Sequence, residues 1–255
     1  MVQFDLSGQH ILVTGGSDGI GKEIAATLMK MGAHVAVHYH SNEVSAGKLI
    51  EDQGNSGSSC FKADFKNPVE VIRLWDQVLD KYQRIDSVVF NAGVYQKQPI
   101  ADPIEKWHNT WKDTMTINLE SPALLTKLTV DHFAEKDRGG RLIYMASRAV
   151  FRGETPEYLA YAASKGGLVS LGRSVARSFG KSNIKSFILA PGFVKTKMAE
   201  QFIEDYGEQK VMEELALNKL TTPKDIAPLV AMLCSGSMDH ATGATIDINA
   251  GSHIR

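Results

Sequence analysis

Cysteine is nearly absent, with two residues in a chain of 255, Cys60 and Cys234. They do not stand at the short spacing of metal ligands or of a disulfide framework, so buried free thiols in a reducing compartment are expected. No apolar run approaches the roughly 18 residues of a membrane-spanning helix. The first eight residues carry neither the basic nor the apolar part of a secretory signal. A cytoplasmic protein with no membrane partner is therefore expected. Neither sign of charge is in excess: 28 Lys and Arg stand against 29 Asp and Glu, a formal net charge of -1. That balance lacks the basic surface that nucleic acid or an anionic membrane requires, so no nucleic-acid partner is expected. No repeat, charge block or low-complexity stretch marks a linker, and residues 1–255 read as a single domain. At 43% hydrophobic residues, the chain can build one sizeable core.

What is present is a regular alternation. Short β-rich apolar runs at 10–14, 33–39, 60–64, 85–90, 141–146, 185–189 and 245–248 read as strands. Amphipathic stretches at 20–31, 43–53, 68–82, 104–112, 113–132, 160–178 and 222–233 read as helices. The fold class is therefore α/β: a Rossmann-type doubly wound sheet of seven mainly parallel strands with helices on both faces. Residues 195–218 read as a helical lid inserted after the sixth strand, or as a surface hairpin. Ligands of such sheets bind beyond the carboxyl ends of the strands. Gly15, Tyr39, Asp64, Asn91 and Ser147 all fall there.

The first strand runs into Gly15-Gly16-Ser17-Asp18-Gly19-Ile20-Gly21. Glycines after a strand let a phosphate approach the backbone, and the following helix offers free amides and the positive end of its dipole. The spacing departs from G-x-G-x-x-G, and a plain turn between strand and helix is the competing reading. NAD-preferring folds commonly place an acid at the end of the second strand. Here His38-Tyr39-His40-Ser41-Asn42 stands instead, and His40, Ser41 and Asn42 could donate to a 2′-phosphate. NADP(H) is therefore expected over NAD(H), with Asp18 arguing the other way. For His38 and His40 an exposed strand end without a role is the alternative.

Tyr161 and Lys165 share one helical face, one turn apart. An ammonium beside a phenol lowers a pKa that is normally about 10, and such a tyrosine can exchange a proton with a carbonyl or alcohol oxygen. Ser147, at the end of the fifth strand, could hold that oxygen. The spacing alone is weak, since Tyr206 and Lys210 repeat it. Asn118, a polar amide in an apolar helical run, needs a buried partner or a function. Candidates for the substrate pocket are Tyr95, Val150, Phe151, Arg152, Tyr158, Phe193, Met198 and Phe202. Arg148 and Arg152 fit either an anionic substrate or a solvated surface.

With these residues placed, the chain resembles the short-chain dehydrogenase/reductase family over residues 6–251. The resemblance rests on Thr14 to Gly21, Asp64, Asn91-Ala92-Gly93, Asn118, Ser147, Tyr161-x-x-x-Lys165, and Pro191-Gly192 with Thr196, in that order. It comes nearest to 3-oxoacyl-carrier-protein reductases and NAD(P)-dependent sugar dehydrogenases. Two departures stand out: the Ser147–Tyr161 gap is about one residue longer than such enzymes commonly have, and Ala250 replaces a common glycine. The resemblance implies an NAD(P)-dependent oxidoreductase acting on a carbonyl or secondary alcohol. Tyr161 would be its general acid/base and Lys165 would tune it. Ser147 would orient the substrate, and Asn118 would hold a proton-relay water. Gly15, Ser17, Asp18, Gly19, Ile20 and Gly21 would wrap the pyrophosphate side of the cofactor. Asp64 would meet the adenine, Asn91 and Gly93 would line the cofactor, and Val194 and Thr196 would hold its carboxamide. Tyr39, His40, Ser41, Phe65, Ala92, Pro191 and Gly192 would also bind the cofactor. No metal is implied. A homotetramer, or a homodimer, is implied. The rivals are an NAD-dependent sugar or cyclic-alcohol dehydrogenase and a non-catalytic dinucleotide-binding protein.

Overall fold

The computed structural model of the chain describes residues 4–135, 138–197 and 207–255, the side chains of residues 208 and 210 excepted. Seven strands form one sheet: β1 His10–Val13, β2 His34–Tyr39, β3 Ser59–Lys62, β4 Ser87–Phe90, β5 Gly140–Met145, β6 Ile184–Pro191 and β7 Thr245–Ile248. Their order is β3-β2-β1-β4-β5-β6-β7. Every neighbouring pair is parallel, because each strand returns through a crossover that carries a helix. The sequence predicts a mainly parallel sheet; the structure has no antiparallel member among the described residues.

The helices are α1 Gly19–Lys30, α2 Glu43–Gln53, α3 Pro68–Tyr82, α4 Ile104–Met115, α5 Ser121–Glu135, α6 Ala149–Arg152, α7 Leu159–Phe179, α8 Glu208–Glu213 and α9 Pro223–Cys234. Side chains from the caps fix several starts. Asp18 accepts from Gly19 N, Asn42 from Ser45 N and Asn67 from Val69 N, while Thr222 and Asp225 close a capping box. Two hydrophobic clusters cover the two faces of the sheet. One packs Ile24, Leu28, Val230 and Leu233 under α1 and α9; the other packs Leu74, Val78, Leu125, Leu168 and Val175 under α3, α5 and α7. Strands buried on both sides explain why their sequences read as unbroken apolar runs.

Three features differ from the sequence reading. The sequence places a break near residue 112, but α4 continues to Met115 and passes into a π turn, Thr116–Glu120, before α5. No glycine or proline stands at 112 or 113 to end a helix, whereas Pro122 lacks the N–H that would return to the Asn118 carbonyl. The loop after Ser147 contains the short helix α6, which the sequence did not signal. The two cysteines are free, but only Cys234 is buried, and Cys60 is partly exposed. Within the expected lid the structure shows α8. The stretch 198–206, with Met198, Phe202 and Tyr206, lies outside the described residues, as does the side chain of Lys210.

Candidate active site

The sheet order reverses between β1 and β4, and the carboxyl ends of these strands are tied together side chain to backbone. Thr14 Oγ1 accepts from Asn91 N and Ala92 N at 2.9 and 3.0 Å. The Asn91 amide donates to Thr14 O and Gly15 O at 3.0 and 3.1 Å. Gly15 and Gly19 adopt positive φ, 63° and 52°, which glycine alone takes readily. A Cβ on Gly21 would lie 2.2 Å from Gly15 O and 2.4 Å from Asn91 Nδ2. Gly21 therefore sets how closely α1 approaches the strand ends.

His38 is the residue the sequence reading undervalued. Instead of lying exposed at a strand end, it is 2% exposed and stacks on Phe65 at 4.3 Å. Its Nδ1 accepts from Gly15 N at 3.0 Å, and its Nε2 lies 3.0 Å from Ala63 O. That pair of contacts requires a neutral ring carrying its proton on Nε2. Burial pushes its pKa down to about 4. A histidine in an alternating strand gives no sequence signal of this bolt between the glycine loop and the end of β3.

A cleft of about 370 Å³ opens beyond these strand ends. Gly15, Asp18, Gly19 and Ile20 line it together with Asn91, Ala92, Gly93, Pro191, Gly192, Val194 and Thr196, and with Ser147, Tyr161 and Lys165. Most of the expected cofactor residues thus face one space. Ser17, Gly21, Tyr39, His40, Ser41, Asp64 and Phe65 are not on its wall. Ser17 O accepts from Ser45 Oγ, Tyr39 is buried, and Phe65 lies under His38. His40 and Ser41 are exposed beyond the end of β2, with His40 Nε2 3.8 Å from Asp64 Oδ2. Asp18 caps α1 and pairs with Lys197 at 3.1 Å. The glycine cradle, the N-terminal end of α1 and a groove running on to Lys165 fit an extended dinucleotide.

Ser147 follows β5, and Tyr161 and Lys165 stand one turn apart on α7. Both hydroxyl side chains face the same cleft, and Ser147 Oγ also accepts from Ala149 N at 3.1 Å. Lys165 is 4% exposed, and its ammonium donates to Met145 O at 2.8 Å, 5.8 Å from the Tyr161 ring centre. The sequence expectation that Lys165 makes the phenol more acidic is not met in the ligand-free protein. Burial pushes Tyr161 up to about 12, against the opposing pull of the Ser147 side chain and with Glu154 adding to the rise. Burial also brings Lys165 down to about 8. Each group is held toward its neutral form because burial disfavours its charged form.

Asn118 is fully buried in the π turn. Its Oδ1 accepts from Val94 N at 2.8 Å, and its Nδ2 donates to Val94 O and Ser164 Oγ at 2.9 and 3.1 Å. A Cβ on Gly93 would come within 3.2 Å of Asn118 Oδ1 and 3.3 Å of Lys165 Nζ, so Gly93 lets the amide and the ammonium approach one another.

The expected substrate pocket needs correction. Tyr95 and Phe193 line the cleft, and Tyr95 meets the Tyr161 ring edge-on at 4.7 Å. Tyr158 is buried behind Tyr95, stacked at 3.8 Å. Phe151 lies beneath the Arg255 guanidinium at 3.9 Å, and Val150 packs on the core. Arg152 is exposed and paired with Glu214. The short helix α6 turns these residues away from the cleft. Arg148 and Glu154 stand on its wall instead. Glu154, inside an irregular loop, carried no periodic signal.

A doubly wound sheet with a glycine cradle and a serine–tyrosine–lysine cluster in one cleft defines a nicotinamide-dependent oxidoreductase. The chain belongs to the short-chain dehydrogenase/reductase family. Residues 15–253 match the family described as enoyl-(acyl carrier protein) reductase. Human dehydrogenase/reductase SDR family member 4 is 32% identical, over 98% of this chain and 89% of that protein. A 7α-hydroxysteroid dehydrogenase solved with NADH and 7-oxo glycochenodeoxycholic acid is 27% identical, covers 98% of this chain and 96% of its own, and superposes with a TM-score of 0.88. A structure from Agrobacterium tumefaciens with bound NADP is 26% identical over 99% of each chain, with a TM-score of 0.87.

Proposed function

We propose that this oxidoreductase transfers a hydride between NADP(H), in preference to NAD(H), and a carbonyl or secondary-alcohol substrate, with Tyr161 as general acid/base. The observation that carries this reading is that Ser147, Tyr161 and Lys165 stand together on the wall of the cleft that begins at the glycine loop. In reduction Tyr161 gives its proton to a carbonyl oxygen held by Ser147; in oxidation it takes the proton from the alcohol. Lys165 holds positive charge beneath that exchange, and Asn118 fixes Val94 and Ser164 around it. When bound, the nicotinamide supplies or accepts the hydride. Gly15 to Gly21 receive the pyrophosphate side, and Asn91 to Gly93 with Val194 and Thr196 receive the nicotinamide side. Replacing Tyr161 with Phe is expected to lower kcat by roughly 10²- to 10⁴-fold while dinucleotide still binds. Turnover at the parent rate would sink the assignment.

The NADP preference is supported by the absence of a carboxylate at positions 40–42 and by the engagement of Asp18 with the α1 start and Lys197. Asp64 beside His40 favours the second reading, an NAD-dependent sugar or cyclic-alcohol dehydrogenase. Fluorescence titration with NADPH and NADH separates the two: tighter binding of NADH would reverse the preference. Residues 1–255 act as one domain. Contact of Val211 and Leu220 with Tyr95 and Phe193 supports a lid role for 195–218. A homotetramer or homodimer in the cytoplasm completes the reading, and sedimentation velocity tests the assembly.

A further inference from the structure

Arg148 is out of place for a surface arginine. It directly follows Ser147, lines the cleft and is 3% exposed. Its Nη2 donates to Glu214 Oε2 at 2.7 Å, and its guanidinium lies over the Phe193 ring at 4.6 Å. Its Nη1 is buried without a hydrogen-bond partner. A buried guanidinium nitrogen with no acceptor is costly, and a bound ligand is one of the few things that relieve the cost. Arg152, with which it shares Glu214, is off the cleft wall. The free edge therefore belongs to the residue beside the catalytic serine.

Resting on the oxidoreductase reading above, we propose that Arg148 is a specificity-determining residue, and that the substrate carries a carboxylate that docks on its guanidinium and supplies the acceptor Nη1 lacks, while the reacting oxygen sits on Ser147 and Tyr161. Guanidinium and carboxylate match in geometry and charge. A phosphate is the poorer fit. Around this end of the cleft Arg148, Arg152 and Lys165 stand against Glu154 and Glu214, so a single carboxylate brings the charges into balance where a dianion leaves an excess of negative charge. The arrangement also links substrate to lid. Glu214 follows α8, and the guanidinium that holds it is the one the carboxylate would complete.

The test is a matched series: 2-oxobutanoate, 3-oxobutanoate and 4-oxopentanoate against their methyl esters, with saturating NADPH and then NADH. Proteins are the parent, Arg148→Met and Arg148→Lys. Methionine keeps an apolar stem, and Glu214 retains Arg152, so the variant is expected to fold; its thermal transition is measured alongside. At least one acid is expected to exceed its ester in kcat/KM by roughly 10- to 100-fold, the weight of one charge-assisted hydrogen bond, with most of the difference in KM. Arg148→Met is expected to bring acid and ester within roughly twofold by losing the acid, and Arg148→Lys to keep part of the preference. Equal use of acid and ester by the parent, or a preference that survives in Arg148→Met, overturns the inference. So does a parent that binds dinucleotide and turns over esters alone or no member of the series. A parent that binds neither dinucleotide overturns the underlying reading instead.

Discussion

His38 gives the sharpest quantitative test of the site's construction. The perturbation is acidification from pH 7.5 to 4.5. The ring must stay neutral to accept from Gly15 N while facing Ala63 O, and its pKa is pushed down to about 4 by burial. In the unfolded chain a histidine titrates near its ordinary 6.5. Between these values the unfolded state binds a proton that the folded state refuses, so the contribution is present above pH 6.5 and is lost as pH falls toward 4. At about 1.4 kcal/mol per pKa unit, the group gives up on the order of 2 to 3 kcal/mol by pH 4.5. Other groups titrate as well, so the measurement is a difference. His38→Asn keeps an acceptor at the δ position for Gly15 N but has no proton to gain. Urea unfolding followed by far-ultraviolet circular dichroism at pH 7.5, 6.0, 5.0 and 4.5 should show the parent losing about 2 to 3 kcal/mol more than the variant. The two slopes running parallel would refute the neutral-latch argument, and a histidine resonance of residue 38 titrating near pH 6.5 in the folded protein would refute it independently.

Gly21→Ala should destabilise the protein by roughly 1–3 kcal/mol and weaken dinucleotide binding, because the new methyl meets Gly15 O at 2.2 Å and backbone cannot swing aside; an unchanged urea midpoint would contradict the packing. Asn118→Ala should cost about 2 kcal/mol, since Val94 N and O and Ser164 lose their partner; thermal unfolding reads this out. In the ligand-free protein the tyrosinate absorbance of the parent minus that of Tyr161→Phe should be absent at pH 8 and arise only near 12. Tyrosinate at neutral pH in that difference would show that Lys165 acidifies the phenol without help.

The sheet was legible because its strands are buried on both faces and its glycines fall where the chain must turn sharply. Continuous apolar runs such as Ile11-Leu12-Val13 have few other places to go. The Ser147–Tyr161–Lys165 cluster was legible for another reason: Tyr161 and Lys165 are fixed by helical spacing alone, and Ser147 by the end of a strand. Spacing says which groups meet but not how much water reaches them. That is why the sign of the Tyr161 shift was misread: attraction by the ammonium follows from geometry, whereas the opposing desolvation depends on everything packed around both groups. The same gap hid His38, whose neighbours Gly15 and Ala63 are 23 and 25 residues away. It also misassigned the loop after Ser147, where α6 exchanges Phe151 and Arg152 for Arg148 and Glu154 on the cleft wall. Local periodicity thus locates Ser147, Tyr161 and Lys165, and only long-range burial sets their charge: packing around the phenol holds it toward its protonated form, and the same packing brings the lysine down.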